Sequence, residues 1–262
     1  MTYPQIDPVL VTIGPLAIRW YGLMYLLGFV GAYFMMLHVA RLRRWPYAAE
    51  MISDLLFYGV LGVVLGGRLG YTLFYNFSYY IAHPLEIVYV WEGGMSFHGG
   101  LLGVLLALAW FCRRYQLAYL QVGDLVVAAV PIGLGLGRIG NFINGELWGR
   151  ATDLPWGMVF PGAGPAPRHP SQLYEAALEG VVLLVLIYLL HRRRVRRGLP
   201  AFAFIALYGL FRFLIEFVRQ PDAHLGFLWW GGTMGQLLSL PMIIIGVAGL
   251  VLVGKGSKRD TA

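Results

Sequence analysis

Seven apolar runs, each close to the roughly 20 residues that cross a bilayer as an α-helix, govern what this chain can fold into. They cover approximately residues 20–40, 54–75, 95–112, 121–139, 173–190, 200–218 and 233–253. Charged residues make up 13% of the chain, against about 25% in a soluble domain. In hydrocarbon every backbone amide must be paired within the protein, which leaves helices as the spanning elements. The expected fold is an all-α membrane protein with seven transmembrane helices, forming a single polytopic membrane domain over residues 1–262.

Charge sets the expected orientation. A net charge of +7 would also suit nucleic acid, but the basic residues sit in short clusters between apolar runs. Arg41, Arg43 and Arg44 follow the first run, and Arg113 and Arg114 the third. His191, Arg192, Arg193, Arg194, Arg196 and Arg197 follow the fifth, and Lys255, Lys258 and Arg259 the seventh. By the positive-inside rule the N-terminus is then periplasmic and the C-terminus cytoplasmic. The outer segments are 1–19, 76–94, 140–172 and 219–232, and they hold Trp91, Trp148, Trp156, Trp229 and Trp230, as an interfacial belt does. Segment 76–94 reads as an amphipathic stretch lying in the interface. Segment 140–172, rich in Gly and Pro, reads as a small periplasmic cap. Residues 1–15 have neither a basic n-region nor a short apolar core, so no signal peptide is expected. No internal repeat supports an inverted-repeat transporter. The one cysteine, Cys112, excludes internal disulfides and reads as a packing residue beside Arg113 and Arg114.

The polar residues within and beside these runs carry the chemistry. From Gly137 to Gly149 the chain holds Arg138, Asn141, Asn144, Glu146 and Trp148 among glycines. A charged side chain in lipid costs roughly 2.5–3.5 kcal/mol on insertion scales, so such groups mark a site. The stretch is expected to leave regular helix and to form the rim of an active site at the outer interface. Gly135, Gly137 and Gly140 match the dinucleotide fingerprint, but that pattern needs a strand before it and a helix after it. The flanks here are membrane-like, so no nucleotide site is expected.

His98, framed by Gly93, Gly94, Gly99 and Gly100, is either a general base or a helix-start histidine bonded to backbone. His38, His83, His169, His191 and His224 lack such a frame. Tyr208, Arg212 and Glu216 fall on one helical face, and Arg219 continues the stripe. They form either an intrahelical Arg–Glu pair or a phosphate site. Arg138 can meet Arg212 across the bundle, and two guanidinium groups from different helices suit a lipid phosphodiester. Glu146 could orient an arginine or a histidine, and Asn141 and Asn144 offer amide donors. Tyr21 and Arg19 are either belt residues or part of the site. Arg68 either pairs with another helix or lines a lipid entry. Asp54 and Asp124 read as N-caps. Neither a zinc-binding H-E-x-x-H nor a G-x-S-x-G nucleophile elbow is present, which argues against a metalloprotease or a serine lipase. The residues alone thus point to an outward-facing, arginine-rich site for an anionic lipid. A flippase or anion transporter, and a lipid-dependent scaffold, remain alternatives. The crowding of polar groups at the outer ends, Asp54 and Asp124 apart, favours a one-sided enzyme.

Five segments carry a resemblance: Arg19 to Leu23, Gly93 to Gly100, Gly137 to Gly149, Arg168 to Glu175 and Tyr208 to Asp222. In order and content they resemble the blocks of the prolipoprotein diacylglyceryl transferase family of the bacterial inner membrane. The resemblance implies transfer of the sn-1,2-diacylglyceryl group from phosphatidylglycerol to the lipobox cysteine thiol of a prolipoprotein. A thioether forms and glycerol 1-phosphate leaves, as the first step of lipoprotein maturation. It implies His98 as the base, with Glu146 as competitor, and Arg138 and Arg212 as phosphate ligands. Asn141, Glu146 and Gly149 would shape the site, Glu146 or Glu216 would orient the arginines, and Tyr21, Tyr208 and Arg219 would complete it. No cofactor, metal or nucleic acid is expected, and the protein is expected to be a monomer.

Overall fold

The computed structural model describes residues 1–221, 226–229 and 231–255. Asp222, His224, Trp230, Lys258 and Arg259, on which parts of the sequence reading rest, lie outside the described residues. The chain is mostly helical, and among the described residues five helical segments are long and apolar enough to cross a membrane: Trp20–Arg43, Ala49–Phe74, Tyr119–Ile143, Ser171–Arg192 and Met234–Lys255. This is a multi-pass membrane protein. Leu199–Ile215 is a shorter apolar helix.

The all-α expectation needs one correction. Val9–Ile13 (β1) and Leu16–Arg19 (β2) form an antiparallel hairpin. Gly14 turns the chain between them at φ 59°, a conformation glycine adopts at little cost. β-branched Val9, Val11, Thr12 and Ile13 suit the extended backbone. β2 runs directly into α1, Trp20–Arg43.

The chain divides into two compact units, Met1–Trp45 with Asp124–Ala262, and Pro46–Gly123. The second contains α2 (Ala49–Phe74), α3 (Phe77–Ala82), the short 3-10 turns Pro84–Val88 and Val90–Glu92, and α4 (Phe97–Arg114). α2 and α4 pack through small residues. A Cβ on Gly62 would stand 2.6 Å from the Gly103 carbonyl oxygen, and one on Gly70 would stand 2.7 Å from Gly99 Cα. Such spacing lets two backbones touch where lipid provides no hydrophobic drive between helices. Part of the glycine frame around His98 therefore serves helix packing. Ser96 caps α4, its Oγ accepting from Gly99 N at 3.2 Å. Between α2 and α4, the side chains of Ile81, Leu85, Val88 and Trp91 are exposed.

The first unit contains β1, β2, α1 and the helices after Gly123. The run expected at 121–139 is broken: α5 is Tyr119–Val127 and α6 is Val130–Ile143, with Pro131 in the first turn of α6. Pro is accommodated there because its missing N–H would have no partner. α6 also continues past Arg138 to Ile143, so the backbone leaves helix later than expected. Gly140, and Gly135 just before the stretch, serve close packing. A Cβ on Gly140 would stand 2.9 Å from Tyr21 Cδ2, and one on Gly135 would stand 3.2 Å from Gly180 Cα.

α7 (Ser171–Glu175) passes into a π-helical stretch, Ala176–Val182, and then into α8 (Leu183–Arg192). α9 (Leu199–Ile215) and α10 (Met234–Lys255) follow. Asp124 caps α9 and not its own helix: its two carboxylate oxygens accept from Gly198 N at 2.6 Å and Ala201 N at 2.9 Å. Asp54 accepts a hydrogen bond from the Tyr115 hydroxyl.

Residues 144–170 form a cap with its own small core of Tyr3, Phe160 and Ala163, flanked by Phe142, Trp148 and Met158. Tyr3 donates to the last carbonyls of α6, at Phe142 (2.6 Å) and Ile143 (2.8 Å). This burial raises the Tyr3 hydroxyl pKa above the usual tyrosine value.

Candidate active site

Three arginines and three carboxylates from α6, α7, the π-helical stretch and the end of α9 form one cluster in the first unit. Glu175 lies at its centre. Its Oε2 is 2.6 Å from Arg138 Nε and 3.2 Å from Arg212 Nη1, and its Oε1 is 3.8 Å from Arg219 Nε. Glu216 is the second hub. It pairs with Arg212 and lies 3.4 Å from Arg219 Nη1, while its Oε2 accepts from Thr233 Oγ1 at 2.6 Å. Glu179 stands 4.0 Å from Arg138 Nη2.

The components differ in exposure. The side chains of Glu175, Glu179 and Glu216 are 1%, 0% and 2% exposed, whereas those of Arg138, Arg212 and Arg219 are 20%, 15% and 11% exposed. The carboxylates lie beneath and the guanidinium groups form the accessible surface. Buried charge is tolerated only when paired, and here each arginine is held by at least one carboxylate. Guanidinium edges presented over a buried anionic floor can receive a further anion, especially an oxyanion able to take paired N–H donors.

Backbone geometry supports this arrangement. The π stretch begins one residue after Glu175 and includes Glu179; such insertions re-aim side chains and occur often at functional sites. Gly235 makes room for Glu216, since a Cβ there would stand 2.5 Å from Glu216 Oε1. Gly149 pairs with Arg219 in an antiparallel bridge, and a Cβ on it would stand 2.6 Å from the Val218 carbonyl oxygen. Arg150 donates to the carbonyls of Arg219 (3.0 Å) and Glu216 (2.9 Å), tying the cap to the chain that follows α9.

Asn141 connects Arg138 to Glu146: its Oδ1 lies 3.5 Å from Arg138 Nη1, and its Nδ2 donates to Glu146 Oε1 at 2.9 Å. Asn144 donates to the same Glu146 oxygen at 3.1 Å. Among the described residues Glu146 therefore has amide partners, and Asn141 links it to Arg138. Tyr21 packs over Gly140, with its hydroxyl 3.1 Å from that of Tyr25. Tyr208 stacks on Phe204 one turn earlier in α9.

His98 and Arg68 belong to the second unit. His98 is exposed in the first turn of α4, its ring edge-on to Phe97. Arg68 is buried and donates to the carbonyls of Ile87 (2.8 Å), Glu86 (2.6 Å), Gly93 (2.5 Å) and Gly94 (3.3 Å), with its guanidinium over Tyr80. These bonds anchor residues 86–94.

Sequence reasoning missed Glu175 and Glu179 as site residues, and also Arg150, Thr233 and Gly235. Two carboxylates four residues apart in an apolar run were the available signal. His169, in the cap, lies 3.4 Å from the Tyr174 hydroxyl, and burial lowers its pKa. Among the described residues, no group of three or more His, Cys, Asp or Glu side chains could hold a metal ion.

Residues 8–252 match the family model described as prolipoprotein diacylglyceryl transferase. The chain is 56% identical over 265 residues to the phosphatidylglycerol–prolipoprotein diacylglyceryl transferase of Pseudomonas aeruginosa, covering 100% of this chain and 98% of the relative. It is 55% identical to the protein of the same name from Pseudoalteromonas atlantica, covering 98% and 92%. The Geobacter sulfurreducens protein of that name is 54% identical, with 97% and 98% covered.

Proposed function

Because the chain belongs to the prolipoprotein diacylglyceryl transferase family, we propose that it moves the diacylglyceryl group of phosphatidylglycerol onto a prolipoprotein cysteine. The lipobox thiol attacks the glycerol carbon that bears the phosphate. The C–O bond to phosphate breaks, a thioether forms, and glycerol 1-phosphate leaves with the electron pair. The observation that carries this reading is the accessible surface made by Arg138 and Arg212 over buried Glu175. It is suited to the lipid phosphodiester and to the charge that grows on the departing phosphate.

In this reading Arg138 and Arg212 hold the phosphate, and Arg219 and Glu216 support Arg212. Asn141 and Glu146 set the orientation of Arg138, Gly149 fixes Arg219, and Tyr21 and Tyr208 line the lipid. Arg68 contributes by holding the interfacial segment. A free thiol has a pKa of about 8.5, so a proton acceptor raises the thiolate fraction; His98 fills this role, with Glu146 as the competitor. We further propose seven spans, with α4 and α9 added to the five long apolar segments. The N-terminus is periplasmic and the C-terminus cytoplasmic, in the bacterial inner membrane. The chain works as a monomer and one membrane domain, and needs no cofactor.

Purified protein, phosphatidylglycerol and a lipobox peptide supply the test. Mass spectrometry should detect a thioether-linked diacylglyceryl peptide and free glycerol 1-phosphate. Lipid scrambling in vesicles without peptide product would replace the transferase with a flippase.

A further inference from the structure

Glu179 is the carboxylate in the cluster that the ion pairs leave least satisfied. Its side chain is fully buried, and neither oxygen has a hydrogen-bond partner. The one cation within 4 Å of it among the described residues is Arg138, whose Nη2 stands 4.0 Å away. Arg138 is already shared, since its Nε is 2.6 Å from Glu175. The charged and titratable groups that face Glu179 are Glu175 from α7, Arg138 from α6, Tyr208 and Arg212 from α9, and Arg219 just beyond α9. Glu175 stands 2.6 Å and 3.2 Å from two arginines, whereas the nearest ion pair of Glu179 is the 4.0 Å one.

A bound phosphodiester changes this balance. It engages Arg138 from the accessible side and places a third anion on the guanidinium that Glu175 and Glu179 share. Burial and neighbouring like charge both disfavour an ionised carboxylate, and Glu179 has no hydrogen bond to offset them, only the field of arginines that a bound phosphate would partly neutralise. Glu175 keeps its two short contacts, so Glu179 is the group that must respond. Given the proposed lipid phosphate at Arg138 and Arg212, on which this inference rests, we propose that Glu179 takes up a proton as the phosphodiester binds. Glu179 is then a positioning residue that acts through Arg138. Its protonation frees the guanidinium for the phosphate, and lipid binding is linked to pH.

The sign follows from linkage. A group whose pKa is higher in the complex strengthens binding at low pH, and that gain is lost as pH rises through the pKa of the complex. The phosphodiester itself stays monoanionic over this range. Titration calorimetry of the purified full-length protein with dihexanoyl phosphatidylglycerol, run in two buffers of different ionisation enthalpy, counts the protons directly. The wild type should take up about one proton per lipid, and its Kd should rise roughly tenfold per pH unit across the linked interval. Glu179→Gln, which resembles the protonated form, should bind without proton uptake and with a flat pH profile. A wild type that binds the lipid without taking up a proton overturns the inference, and so does a Glu179→Gln variant that takes up as many protons as wild type. A wild type that does not bind the lipid defeats the functional reading as well, so the two failures are distinguishable.

Discussion

Arg138 and Arg212 meet on a single atom: Glu175 Oε2 lies 2.6 Å from Arg138 Nε and 3.2 Å from Arg212 Nη1. One buried oxygen thus fixes the separation of two guanidinium groups carried by different helices. Removing Glu175 leaves those cations to repel each other in a poorly solvated site. Breaking one partner of a buried pair costs roughly 3–5 kcal/mol. Glu175→Ala is expected to lower the thermal unfolding midpoint in detergent by more than any of the single arginine variants, because it removes the shared contact of Arg138 and Arg212 at once and, among the described residues, leaves Arg212 only Glu216 and Arg138 only the 4.0 Å approach to Glu179.

The arginines themselves are argued to act on the phosphate. Arg138→Ala and Arg212→Ala should each lower turnover by roughly 10²–10³-fold, the cost of one preorganised donor to a developing oxyanion. Arg138→Lys should recover little of this, since an ammonium cannot hold Glu175 and a phosphate through a planar fork. The measurement is the rate of thioether formation with phosphatidylglycerol and a lipobox peptide, on protein shown to be membrane-inserted. Near-normal rates in either alanine variant would remove the phosphate clamp.

How much of this was legible in the sequence depended on whether the partner was local. The five long apolar helices and the Tyr208–Arg212–Glu216 stripe follow from composition and period, which one segment carries by itself. Glu175 and Glu179 were also visible, as carboxylates four apart in an apolar run, but the phosphate reading gave weight to the cations and left the anions beneath them unassigned. Asp124 was read as a local cap because its partners, Gly198 and Ala201, are far away in sequence. The π-helical stretch at Ala176–Val182 has no composition of its own that would announce it. Gly140 was read as part of irregular backbone, but it marks close packing against Tyr21 within a continuous helix, and periodicity does not separate those two uses.

Gly235 tests the floor of the site without touching a charge. A Cβ there would stand 2.5 Å from Glu216 Oε1 and 2.9 Å from its Cγ, so Gly235→Ala must push Glu216 away from Arg212 and Arg219. Gly133→Ala, in α6, meets nothing within 4 Å and is the matched control. Turnover should fall at least tenfold for Gly235→Ala, given the roughly 1.4 kcal/mol that such a factor represents, and stay unchanged for Gly133→Ala. Equal activity in the two would show that the position of Glu216 is unimportant.

The Asp124 cap separates stability from chemistry. Its carboxylate holds two backbone N–H groups at the start of α9, the helix that carries Arg212. Replacing a capping side chain with alanine costs about 0.5–2 kcal/mol, and Asp124 is fully buried, so the upper part of that range applies. Asp124→Ala should therefore lower the thermal midpoint. Asp124→Asn, which keeps one acceptor oxygen, should lower it less. Below the unfolding transition both variants should turn over substrate at close to the wild-type rate, because the cap lies at the opposite end of α9 from Arg212. A rate that falls in parallel with the loss of capping would mean that the register of α9, and with it the distance from Arg212 to Glu175, is set from this end.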